Sequence, residues 1–105
     1  MGVAYLPVAK LADLKPGTML LVDMEGRQLL VTSLDGRYFA FSRQCPHEGV
    51  DLALGDLRDC RIRCVNHSYV FDLETGACVV PSNGPSLTVL PAEPQGEDLC
   101  IRLEW

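Results

Sequence analysis

The chain has 105 residues, 48% of them apolar and 22% charged, the make-up of one ordinary globular domain, which excludes a disordered chain. Fourteen acids against nine bases give a formal net charge of −5; with no run of Lys or Arg, nucleic acid and anionic membrane surfaces are excluded as partners, and a basic docking face on a protein is favoured. Met19–Val22 is too short an apolar run to span a bilayer, "MGVAYLPVAK" lacks the parts of a secretory signal, and Leu6 stands where a myristoylation motif wants Ser or Thr, so a soluble cytoplasmic protein is expected.

In chain order, "VAYLPV" reads as a strand, and "LADLKPG" allows one helical turn before Pro16-Gly17 forces a reversal. "TMLLVDM" and "RQLLVTS" flank Glu25-Gly26, and "RYFAFS" follows Asp35-Gly36. Asp-Gly tolerates the positive φ angles of a tight type I′ turn, so these strands are predicted to form a meander. From Gln44 to about Asp59 no period is visible, and the stretch reads as loop. "RIRC" resumes as a strand with Ile62 facing opposite to its two arginines, and "YVFDL" and "ACVV" are joined at "ETG". "PSNGPS" is too rich in Pro and Gly for a regular element, and "LTVL" and "LCIRLEW" supply the closing strands. The expected fold is all-β: one antiparallel sandwich or barrel-like domain over residues 1–105, with irregular loops grouped around the cysteines.

Five cysteines, an odd number, argue against a complete disulfide framework. In a reducing compartment, cysteines near histidines read instead as metal ligands or reactive thiols. Two pairs stand out: Cys45-Pro46-His47 and Cys64-Val65-Asn66-His67, with sixteen residues between His47 and Cys64. Cys60, Cys78 and Cys100 have no close histidine and read as small apolar filler. Two Cys and two His make a legitimate zinc set, but small zinc modules put like ligands on each arm, whereas both arms here are mixed. A Cys45 nucleophile served by His47 would need an orienting third group and would leave Cys64 and His67 unexplained. Two mixed loops side by side suit a two-iron cluster, with both thiolates on one iron and both imidazoles on the other.

With those residues in view, the sequence resembles a Rieske [2Fe–2S] protein of the small soluble ferredoxin type. That family's pattern is C-x-H, about fifteen to seventeen residues, then C-x-x-H, and "CPH" and "CVNH" match it. "LALG" at Leu52–Gly55 and "FDLETG" at Phe71–Gly76 stand where the family closes its two cluster loops, and "PSNGPSL" stands where its proline-rich loop covers the cluster. The resemblance implies a Rieske fold with a two-loop cluster-binding subdomain over about residues 44–85. It implies one [2Fe–2S] cluster per chain, with Cys45 and Cys64 on the inner iron and His47 and His67 on an outer, surface-facing iron. Two thiolates in place of four leave a neutral oxidised cluster rather than a doubly negative one, which raises the reduction potential.

High-potential respiratory members carry Ser and Tyr hydroxyls two and four residues beyond the last His; Tyr69 and Phe71 stand there here. The disulfide of those members would fall at Val50 and Asn66, so it is absent. Both departures place the potential at the low end of the Rieske range, about −150 mV. The function implied is that of a monomeric electron carrier, not an enzyme. It would accept electrons from an NAD(P)H-dependent flavin reductase and pass them singly to a terminal Rieske oxygenase. The alternative is the small Rieske-like subunit of an assimilatory NAD(P)H nitrite reductase, though many of those lack a ligand. Glu48, Asp51, Asp56 and Asp59 read as solvated loop carboxylates, with a docking role as the alternative. Tyr69 reads as either a cluster shield or an ordinary strand aromatic.

Overall fold

The computed structural model of the protein describes residues 1–66 and 68–104. The chain opens with β1 (Val3–Lys10) and a single 3₁₀ turn at Leu11–Asp13. It then makes the meander expected of it, β2 (Met19–Met24), β3 (Arg27–Leu34) and β4 (Arg37–Ser42). Both turns are of the type I′ kind that matches strand twist: Glu25 and Gly26 have φ of 52° and 86°, Asp35 and Gly36 of 51° and 76°. Four short strands follow, β5 (Asp56–Arg58), β6 (Arg61–Arg63), β7 (Val70–Asp72) and β8 (Cys78–Val80). The chain closes with β9 (Val89–Leu90), β10 (Ala92–Gln95) and β11 (Asp98–Glu104). Among the described residues no helix is long and apolar enough to cross a membrane.

These strands form three antiparallel sheets, ordered β1-β11-β10, β2-β3-β4-β9 and β5-β6-β7-β8. The meander lies in the middle. On one of its faces Leu29, Val31 and Ala40 pack with Leu99 and Ile101; on the other Leu30, Phe39 and Phe41 pack with Leu52, Ile62 and Phe71. Burial on both faces explains why "LLV" in β3 reads as a continuous apolar run rather than an alternation. Thr32 interrupts that run, fully buried, and its hydroxyl donates to Thr18 O at 2.6 Å, so the polar atom is satisfied.

Two elements depart from the expectation. The stretch from Gln44 to Asp59 holds a Gln44–Asp51 bridge, a 3₁₀ turn at Leu52–Leu54 and the whole of β5. Three residues are too few to show a period, and β5 turns into β6 through Asp59 and Cys60 at φ of 51° and 59°, a two-residue turn without the glycine that would have signalled it. β10 was hidden by Pro94, which is tolerated because β10 is the outer strand of its sheet.

Candidate metal centre

Cys45 sits at the neck of a tight loop that leaves β4. Its amide N–H donates to Val50 O at 2.8 Å, and the Gly49 N–H donates back to Cys45 O at 2.7 Å. Gly49 has φ of 72°, open to glycine at no steric cost. Arg43 and Asp51 brace the neck at 2.8 Å, while the second Asp51 oxygen accepts from the Ala53 N–H at 2.9 Å and caps the Leu52–Leu54 turn. The Arg43 guanidinium first, then the Ala53 N–H, hold the Asp51 carboxyl below its ordinary value. Leu52 plugs the loop into the core, fully buried.

Cys64 follows β6 directly and begins a second loop, closed by its own N–H donating to Tyr69 O at 2.7 Å. Two glycines hold these loops against their surroundings. A side chain at Gly55 would meet Arg63 O at 2.3 Å, so the end of the first loop runs flush against the strand that presents Cys64. At Gly76, φ is 82° and a Cβ would lie 2.1 Å from Leu87 O, where the Leu87 N–H donates to Gly76 O at 2.7 Å. These are the terminal glycines of "LALG" and "FDLETG", and backbone contact is what requires them.

The loops bring Cys45 and Cys64 together in one apolar core with Phe41, Leu52, Ile62 and Phe71, both thiols essentially fully buried. Neither is in a disulfide. Burial pushes the Cys45 thiol up; the backbone N–H of His47 pulls it down, and the Cys64 thiol, within hydrogen-bonding reach, pushes it up again. A metal cation that a cysteine coordinates deprotonates its thiol outright. His47 is half-buried, its Nε2 3.5 Å from Glu48 Oε1 and its ring stacked on Tyr69 with centroids 3.9 Å apart. Among the described residues no three His, Cys, Asp or Glu side chains converge about one ion. Two thiols and an imidazole are donors of the kind a two-iron centre takes, and the residues present fit such a group. His67 lies outside the described residues.

Other expected features take definite places. Phe71 is fully buried among apolar side chains, so the position brings no hydroxyl to the sulfurs. Tyr69 lies flat on His47, a placement its strand pattern did not reveal. Asp56 pairs with Arg63 across the β5–β6 ladder, and Asp51 is a structural brace; neither is a merely solvated carboxylate. Cys78 and Cys100 are buried as expected, while Cys60 is half-buried in its turn. Cys78 belongs to the same core as Cys45 and Cys64. The "PSNGPS" segment turns through the Gly84 N–H to Pro81 O bond at 3.0 Å and presses Gly84 against Cys78, where a Cβ would lie 2.6 Å from Sγ. The sequence reading also missed a bond between the two loops, from Asn66 Nδ2 to Glu48 Oε2 at 2.6 Å; partners eighteen residues apart carry no local signal.

Known proteins resemble this chain over most of its length. The family model described as Rieske [2Fe–2S] domain matches residues 4–91. The ferredoxin component of an alkene monooxygenase system from Xanthobacter autotrophicus is 30% identical over 97% of this chain and 84% of its own length. The ferredoxin component of biphenyl 2,3-dioxygenase from Rhodococcus jostii is 30% identical over 97% of this chain and 95% of its own. Among solved structures, a chain in the complex of reduced oxygenase and oxidised ferredoxin of carbazole 1,9a-dioxygenase superimposes with a TM-score of 0.82 at 26% identity, covering 92% of this chain and 91% of that one. A putative nitrite reductase small subunit superimposes with a TM-score of 0.83 at 17% identity over 93% of this chain and 97% of that one, a likeness of fold alone.

Proposed function

The chain belongs to the Rieske [2Fe–2S] domain family, and from that premise we propose that it serves an oxygenase system as its electron-carrying ferredoxin, with Cys45, Cys64, His47 and His67 as the ligands of its cluster. It is a carrier rather than a catalyst: its relatives are named as ferredoxin components. The observation that carries the ligand reading is the convergence of the buried Cys45 and Cys64 thiols in one core, each at the start of its own loop. When bound, a [2Fe–2S] cluster takes up and gives back one electron at a time. The chain's own part is to bury the thiolate end beneath Leu52 and Phe71, to aim the backbone N–H of His47 at Cys45 Sγ, and to hold the His47 ring with Tyr69.

In this reading, an NAD(P)H-dependent flavin reductase loads the protein in the cytoplasm, and a terminal Rieske oxygenase unloads it through the His47 edge. Small, short-lived interfaces suit that traffic. Phe71 supplies no hydroxyl and Tyr69 is engaged with His47, which supports a midpoint near the low end of the range, about −150 mV. The test is reconstitution. The reduced protein is expected to reoxidise on mixing with the host's terminal Rieske oxygenase, and NAD(P)H is expected to drive turnover only when a flavin reductase is added. A siroheme-containing chain permanently bound to the protein in host extracts would contradict the carrier reading.

A further inference from the structure

Glu48 follows His47 directly, and Asn66 precedes His67 directly. The Asn66 Nδ2 to Glu48 Oε2 bond of 2.6 Å therefore joins the two loops at the positions flanking both imidazole-bearing residues. The other Glu48 oxygen lies 3.5 Å from His47 Nε2. One carboxylate thus spends one oxygen on the opposite loop and turns the other toward a ligand ring. A free Glu side chain on a loop has many rotamers, and the Asn66 bond selects the one that faces His47.

We propose that Glu48 is a positioning residue with two separable effects: through Asn66 it fastens the two ligand loops together, and beside His47 it holds a fixed negative charge that lowers the reduction potential. The inference rests on the ligand reading given above. Adding an electron near His47 is opposed by a carboxylate at that distance, and a neutral group of the same shape would remove the opposition. Half of the Glu48 side chain is exposed, at 50%, so solvent and salt screen the charge and keep its effect moderate.

Glu48→Gln and Asn66→Ala separate the two effects in the cluster-loaded protein. For Glu48→Gln, whose amide oxygen can still accept from Asn66, the reduced-to-oxidised ratio at a fixed applied potential is expected to rise about threefold to tenfold, an upward move of about 30–60 mV for a one-electron couple. Its rate of cluster loss to an iron chelator should stay close to that of the unmodified protein. For Asn66→Ala the chelator should strip the cluster several-fold faster. Raising the ionic strength should lift the midpoint of the unmodified protein more than that of Glu48→Gln. An unchanged midpoint in Glu48→Gln, or an unchanged stripping rate in Asn66→Ala, in proteins that hold their cluster, would overturn this inference and leave the ligand reading standing. A purified protein that binds no two-iron cluster would overturn both.

Discussion

The two faces of the central meander are held by different means. Toward β1, β11 and β10 the core is aliphatic, built from Leu29, Val31, Ala40, Leu99 and Ile101, and the strands are long, with β1 and β11 paired from Val3–Glu104 to Lys10–Asp98. Toward β5–β8 the strands have three residues each, and the core they cover contains the thiols of Cys45, Cys64 and Cys78. Long ladders and apolar burial make the first side self-sufficient. The second has too little ladder to hold itself rigidly, and much of its order comes from the loops that begin at Cys45 and Cys64. Metal binding to such a region is in part its folding energy.

Removing a proposed cluster ligand should expose that asymmetry most strongly. In Cys64→Ser, hydrogen exchange of β6 and β7 amides is expected to accelerate by orders of magnitude while β3 and β11 remain protected. Uniform loss of protection across all three sheets would break the distinction. A smaller effect is expected at the glycine pressed against Leu87. Gly76→Ala combines a positive φ with a clash on Leu87 O and should cost about 3 kcal/mol by denaturant titration. Gly17→Ala has a similar φ but open space around it and should cost about 1 kcal/mol. Equal costs would mean that the Gly76–Leu87 contact does not matter.

The smallest effect is expected at the brace of the first loop. Asp51→Asn keeps an oxygen for the Ala53 N–H but loses the charge that pairs with Arg43, at a cost of about 1 kcal/mol. Because the folded state lowers the Asp51 pKa, the charge contributes fully above the ordinary carboxylate value of about 4 and is lost as pH falls through the lowered one. The stability gap between the two proteins should therefore be widest near neutrality and should close at acid pH. A gap that widens on acidification would reverse the sign of this account.

Features fixed by neighbours in sequence were legible there. Glu25-Gly26 and Asp35-Gly36 announce the hairpins, and the C-x-H and C-x-x-H pairs announce the family. Features fixed by distant partners were not. Asp51 reads as one acid among several until Arg43 is seen against it, and Tyr69 reads equally as a cluster shield or a strand aromatic until its ring lies on His47. Gly55 and Gly76 appear as turn residues, yet what requires them is carbonyl oxygens that only the folded chain brings near. β10 was masked by Pro94, a residue that argues against strands in general but not against the outermost one.

Electron paramagnetic resonance of the anaerobically reduced protein, with iron, sulfide and zinc determined on the same sample, tests mixed thiolate–imidazole ligation directly. The expected result is a rhombic spectrum of low average g that integrates to one spin per cluster, with iron and sulfide in equal amounts. A silent sample with zinc in place of iron, or a spectrum that persists unchanged after His47→Ala, would contradict it.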